Sequence, residues 1–171
     1  HWESALLKYR ISSGYQKSGP PRWDSSDVLH VTPGTNFQAL VNAALDALVA
    51  NPPPAMKRDE FDAWIKKDRA RLPDKLSCRL GWMTRVHPFV LAGQRLIVPL
   101  YSDGFDFCLM AITDDWGKSW FTSDPLVSIA NSQPSLIRKQ DGTLVAYMRD
   151  DGPPPQRVPT CESRDRGVTW S

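Results

Sequence analysis

Little in this 171-residue sequence lends itself to cross-linking or to metal chemistry. Only three cysteines occur, Cys78, Cys108 and Cys161, odd in number, far apart and without a C-x-x-C pair. Neither a disulfide framework nor a zinc or redox site is expected, and buried free thiols are the simpler reading. No metal and no cofactor are called for. No apolar run reaches the roughly 18 residues that a membrane helix needs. Charge of one sign is lacking too: 21 Lys and Arg stand against 19 Asp and Glu, a net charge of +2. No basic stripe with interleaved aromatics marks a nucleic-acid surface. The chain opens at His1 without a charged-then-apolar leader, so the compartment stays open. It closes at Ser171 directly after a turn signature, with no strand to finish that unit, and a piece of a longer chain is expected. What is present is ordinary globular material, 41% hydrophobic and 23% charged. Seven Trp, fifteen Pro and ten Gly favour many short strands joined by turns, with a helix-rich stretch near the middle.

One eight-residue pattern occurs twice. Thr113-Asp114-Asp115-Trp116-Gly117-Lys118-Ser119-Trp120 and Ser163-Arg164-Asp165-Arg166-Gly167-Val168-Thr169-Trp170 both read [ST]-x-D-x-G-x-[ST]-W, 50 positions apart. Upstream, His87 to Leu91 followed by Arg95 to Leu100 aligns with Gln133 to Ile137 followed by Thr143 to Met148, if two extra residues are allowed at the Gln140-Asp141-Gly142 turn. A repeat of this length, built from four short strands, is one blade of a β-propeller. In the more complete copy the strands are expected at Phe89 to Leu91, Arg95 to Ser102, Phe107 to Thr113, and Trp120 to Thr122, the last extending towards Ser128. Within the signature, Asp115 and Asp165 can accept hydrogen bonds from the turn's own N–H groups. Gly117 and Gly167 can take positive φ, and Trp120 and Trp170 can bury an indole between sheets. Such a turn stabilises a hairpin and does no chemistry.

The stretch 35–75 breaks the pattern with a helical hairpin. Phe37, Leu40, Val41, Ala44, Leu45 and Leu48 fall on one helical face, with Thr35 and Gln38 at capping-box spacing. Pro52-Pro53-Pro54 ends that helix, and Phe61, Trp64, Ile65 and Leu72 mark a second, narrower stripe. The hairpin is either a scaffold packed on the propeller wall or a lid or partner-binding surface. Residues 1–34 read as strands ending a preceding blade, and 76–171 as blades with signatures at 113–120 and 163–170. The fold class is therefore all-β, a partial propeller with an inserted helical hairpin.

In a four-stranded antiparallel blade, the start of the first strand and the end of the second share one edge, opposite the turn from third to fourth. Residues at that first edge are Arg85, His87, Tyr101, Ser102, Asp103 and Asp106 in one copy. In the next they are Asn131, Gln133, Arg149, Asp150 and Asp151. They are mostly polar where strand packing alone would permit apolar residues, and concentrated polarity at one mouth of a propeller marks a candidate binding site.

The twin signatures, their spacing, and the run Ser132-Gln133-Pro134-Ser135-Leu136-Ile137, Asp141-Gly142-Thr143-Leu144 and Arg149 resemble the sialidase (neuraminidase) superfamily, in particular its bacterial-type BNR or Asp-box members. The resemblance covers about residues 80–171 well and the N-terminal third weakly. It implies a six-bladed propeller that cleaves terminal sialic acid from glycans, with three arginines on the sugar carboxylate, a Tyr/Glu nucleophile pair and an Asp acid. It also points to a secreted or periplasmic location. Arg149 stands where the family places one carboxylate-binding Arg, and a guanidinium suits a bidentate grip. The alternative is a surface Arg paired with Asp150 or Asp151. Asn131 departs from the family's Glu, and an amide cannot take a proton. Asp103 and Asp106 are the remaining carboxylates for catalysis, each otherwise a turn residue. Tyr101 is not read as the nucleophile, while Arg85 and His87 are either substrate contacts or rim residues. Two functions follow: a sialidase-type glycoside hydrolase acting on a terminal acidic sugar, or a glycan-binding or interaction propeller that kept the turns and lost the chemistry.

Overall fold

A computed structural model describes residues 1–15 and 18–171. After a 3-10 turn at Trp2–Ser4, the elements are β1 (Leu7–Ile11), β2 (Ser25–Leu29), α1 (Phe37–Ala50), α2 (Arg58–Arg71), β3 (Trp82–Met83) and β4 (Phe89–Leu91). Next come β5 (Arg95–Ser102), β6 (Cys108–Thr113), β7 (Phe121–Thr122), β8 (Asn131–Arg138), β9 (Leu144–Asp150) and β10 (Thr160–Ser163). Strands β1 and β2 form an antiparallel hairpin by themselves. The first blade runs β3-β5-β6-β7, with β4 also on β5, and the second runs β10-β9-β8. The fold is a partial β-propeller carrying an inserted helical hairpin.

Each face of the first blade has its own core. Strand β6 is buried along its whole length, which accounts for the unbroken apolar run Cys108-Leu109-Met110-Ala111-Ile112. Leu109 and Ala111 point to one side with Val98 and Leu100, where Phe37, Val41 and Leu45 of α1 and Phe61, Trp64 and Ile65 of α2 meet them. Cys108, Met110 and Ile112 point to the other with Ile97, against Leu136, Leu144, Ala146 and Met148 of the second blade. The helical hairpin thus covers the blade face turned away from the next blade. Phe37, Trp82, Phe105 and Phe107 knit it to the sheet, the last two rings lying 5.2 Å apart.

Several expectations need correction. Helix α1 starts after Asn36 with no side-chain cap. Gln38 instead donates from Nε2 to the Leu72 carbonyl at 2.7 Å, tying α1 to the end of α2. The narrower stripe of α2 also contains Asp68, which is 0% exposed with neither carboxylate oxygen hydrogen-bonded. Burial pushes its carboxyl up to about 7, with Lys67 and Arg71 pulling down and Asp106 adding to the rise. The two-residue insertion expected at Gln140-Asp141-Gly142 is absent. Leu91 pairs with Arg95, and Lys139 N donates to Thr143 O, so both copies turn through three residues. The length difference lies upstream, where a bulge interrupts β8 between Ser132 and Ser135 and β3 and β4 are separate strands. Past β7, Leu126 makes only an isolated bridge to Cys108.

Candidate functional site

The two signatures occupy the turn edge, and both are built alike. Thr113 Oγ1 donates to Asp115 Oδ1 (2.7 Å) and accepts from Gly117 N (2.8 Å). Ser163 Oγ does the same with Asp165 (2.8 Å) and Gly167 N (2.8 Å). Ser119 and Thr169 close each turn by donating backbone N–H and hydroxyl to the same carboxylate. These bonds hold the Asp115 carboxyl down at about 2, Ser119 contributing most and Thr113 next. At Asp165 burial acts upward, yet the bonds from Thr169, Ser163 and Val168 still leave it below its ordinary value. Gly117 (φ 86°) and Gly167 (φ 91°) take the left-handed backbone that side chains resist. Trp120 and Trp170 are half-buried instead of enclosed between sheets. Arg95 joins the two turns, with both Asp114 oxygens at 2.7 Å and the Arg166 carbonyl at 3.1 Å. Asp114, Asp115, Asp165, Arg95 and Arg166 are all engaged within or between the turns and the adjoining β4–β5 turn.

The opposite edge carries a cavity of about 650 Å³. Arg85, Tyr101 and Asp103 reach it from the first blade, and Ser132, Gln133, Arg149 and Asp151 from the second. Trp2, Ala5, Leu6 and Leu7 close it from the N-terminal segment. Five candidate residues therefore converge: Arg85, Tyr101, Asp103, Gln133 and Arg149. Four do not line the cavity. Asn131 is 3% exposed, with its amide against Met148 Sδ and its carbonyl accepting from the Cys108 thiol. Asp106 accepts from Lys67 Nζ at 2.6 Å. Asp150 accepts from the backbone N–H groups of Gly152 and Arg157 and shapes the β9–β10 loop. His87 is exposed beside β4.

The converging groups are held by local geometry. The Asp103 loop wraps the buried Ser102, whose Oγ accepts from Gly104 N (3.1 Å) and Phe105 N (3.2 Å), while Phe105 anchors in the core. Burial first, then the negative charges of Asp106 and Asp151, raises the Asp103 carboxyl above its ordinary value. Gln133 sits at the β8 bulge with φ 52°, a left-handed backbone for a non-glycine residue of the kind that re-aims side chains beside functional sites. Arg149 lies opposite Ser132 in the ladder and pairs with Asp151 at 2.7 Å, its side chain 61% exposed. Ser132 Oγ donates to the other Asp151 oxygen at 2.6 Å.

A model of the BNR repeat-like domain matches residues 57–171, more than half of the chain. The chain belongs to the BNR repeat-like family. No curated protein matches the sequence. Among solved structures, the chain is similar to a protein of unknown function from Dyadobacter fermentans, with 20% identity over 54% of this chain and 28% of that one and a TM-score of 0.48. It is similar to the intramolecular trans-sialidase from Ruminococcus gnavus solved with oseltamivir carboxylate, with 28% identity over 45% of this chain and 16% of that one and a TM-score of 0.37. A third likeness is to a family 43 β-1,3-galactosidase solved with galactodeoxynojirimycin, with 17% identity over 90% of this chain and 44% of that one and a TM-score of 0.48. The chain thus spans less than half the length of each.

The part of the mouth that sequence patterning missed is its apolar wall, which lies outside the matched BNR repeats. Trp2 and Leu6 are exposed hydrophobics more than 75 positions away from Arg85, and no periodicity links segments so distant. The Gln133 bulge left no signal either, because Gln is an ordinary strand residue. The sequence places Asp151 at the same edge and Ser132 in the motif run, and their pairing emerges only from the β8–β9 register.

Proposed function

We propose that these BNR repeats contribute to a sialidase-like glycoside hydrolase acting on the terminal acidic sugar of a glycan, bound in the mouth cavity. The observation that carries this is the convergence of two arginines, Arg85 and Arg149, with a carboxyl of raised pKa, Asp103, on one cavity of about 650 Å³. Pockets for small ligands have this size and this sparse set of polar groups. Arg149 would exchange its exposed pairing with Asp151, weak in water, for a charge-assisted bond to the sugar carboxylate. Asp103, whose carboxyl is raised by partial burial and by the charges of Asp106 and Asp151, would serve as proton donor to the departing oxygen. Tyr101 and Gln133 would orient the ring through hydroxyl and amide groups.

A glycan-binding propeller without turnover is favoured by Asn131, a buried amide where the resembling enzymes have a carboxylate base. The two separate in one assay. The full-length protein is incubated with a fluorogenic sialoside across pH. Turnover supports the hydrolase, binding on a glycan array without release supports the second function, and neither response sinks both.

A further inference from the structure

Trp2 is 72% exposed, yet its backbone is among the better-anchored parts of the N-terminal segment. Ala5 N donates to Trp2 O at 3.0 Å, and Gly81 N donates to Ala5 O at 3.0 Å. Glu3 pairs with Arg71 at 2.8 Å, the Arg71 side chain being largely buried. Gly81 fits so closely under this turn that a Cβ there would lie 2.7 Å from the Glu3 carbonyl oxygen. A large indole is thus carried on an anchored backbone and left uncovered. Its surroundings explain the placement. Trp2 lines the mouth cavity and also a second cavity of about 340 Å³ bordered by His1, Glu3, Lys67, Asp103 and Gly104. Two residues belong to both spaces, Trp2 and Asp103.

We propose that the smaller cavity is a subsite for the second sugar of the glycan, with the Trp2 indole as its stacking platform and Asp103 at the junction between the two sugars. This rests on the mouth cavity holding the terminal acidic sugar. The chemistry of the walls fits a neutral pyranose. One face of such a ring is a patch of C–H groups that packs on a flat aromatic surface, and its rim of hydroxyls meets the Glu3 carboxylate and the Lys67 ammonium. Both charged groups are already directed by partners, Glu3 by Arg71 and Lys67 by Asp106, so they reach the space without a further ordering cost.

The test compares calorimetric binding of a methyl sialoside and of sialyllactose by the parent protein, Trp2→Ala and Trp2→Phe, with Arg149→Ala as a control. Trp2→Ala is expected to weaken sialyllactose about tenfold and leave the methyl sialoside unchanged, with Trp2→Phe restoring most of the loss. Equal weakening of both ligands, or of neither, overturns the platform while the mouth reading stands, provided Arg149→Ala weakens both. Failure of the parent to bind either ligand sinks the mouth reading and the subsite with it.

Discussion

Carboxylates at the two edges of these blades meet opposite environments. At the turn edge, Asp115 and Asp165 accept several hydrogen bonds each, and Asp114 is gripped by both arms of Arg95. All three are held below their ordinary pKa. At the mouth, Asp103 is exposed, yet its partial burial and the negative charges of Asp106 and Asp151 raise its carboxyl. The left-handed backbone differs as well. Each turn glycine with φ near 90° follows one left-handed neighbour inside a fully hydrogen-bonded loop, whereas Gln133 is left-handed within a strand, beside the cavity. At the turn edge, the left-handed residues and the carboxylates sit within the turns' own hydrogen bonds. At the mouth, a left-handed non-glycine within a strand and a carboxyl of raised pKa stand beside the cavity, and departures of that kind gather where binding or catalysis is selected over stability.

The contrast can be broken most strongly at Asp68, which touches the mouth loop through the field of Asp106. Its carboxyl stands at about 7 in the folded state against an ordinary 3.8. Between these values the folded chain keeps a proton that the unfolded chain has released, so stability falls as pH rises from about 4 to about 7. Asp68→Asn removes that dependence. Urea unfolding should show the variant more stable than the parent at pH 8 by up to about 4 kcal/mol and little different near pH 4. Asp115 has the opposite sign: its contribution is present above about pH 4 and is lost as pH falls towards 2.

Next in size are the two turn glycines, which a substitution should separate. A Cβ on Gly167 would meet Ile97 Cδ1 at 2.8 Å, while on Gly117 the nearest atom is Trp120 Cζ2 at 3.4 Å. Gly167→Ala should cost about 3 kcal/mol, from backbone strain plus displaced packing between blades, and Gly117→Ala about 1 kcal/mol from strain alone. Thermal unfolding ranks them. Arg95→Ala should cost about 2 kcal/mol, because it leaves Asp114 and the Arg166 carbonyl without their shared donor.

A smaller effect sharpens the comparison between the turns themselves. Trp170 Nε1 donates to the Gly167 carbonyl at 3.1 Å, whereas the Gly117 carbonyl is taken by the Tyr9 hydroxyl at 3.0 Å and Trp120 Nε1 has no hydrogen-bond partner. Tyr9→Phe should cost under about 1 kcal/mol, since the freed carbonyl becomes available to Trp120. A larger loss in denaturant unfolding would mean that Tyr9 holds the β1–β2 hairpin by more than this bond.

How much of this was legible beforehand depended on distance along the chain. Strands β4 and β5 and the two turns follow from alternation and from a motif whose hydrogen bonds span only four residues, so their bounds were readable. The helical stripes were readable because their period is local. The repeat alignment was misread at the Gln140-Asp141-Gly142 turn, because the β8 bulge between Ser132 and Ser135 shifts the register without changing residue type. Gln38 fits a capping box by spacing, but a carbonyl 34 positions away competes for its amide. Asp68 lies among the basic residues of α2, and its burial shows only in the folded chain. At the mouth, Arg149 and Asp103 could be named from blade topology, while the Trp2 wall and the Asp151 bridge required the chain to be folded.

The central claim is that recognition belongs to the mouth edge and architecture to the turn edge. It is tested most directly by kcat/KM for a fluorogenic sialoside, measured on the full-length protein carrying Arg149→Ala or Arg95→Ala and corrected for folded fraction. Loss of a charge-assisted grip should lower the value on the order of 10- to 100-fold for Arg149→Ala with stability within about 0.5 kcal/mol of the parent. Arg95→Ala should keep kcat/KM within about twofold while losing stability. The account is contradicted if Arg149→Ala turns over substrate like the parent, or if the loss of activity falls on Arg95→Ala instead.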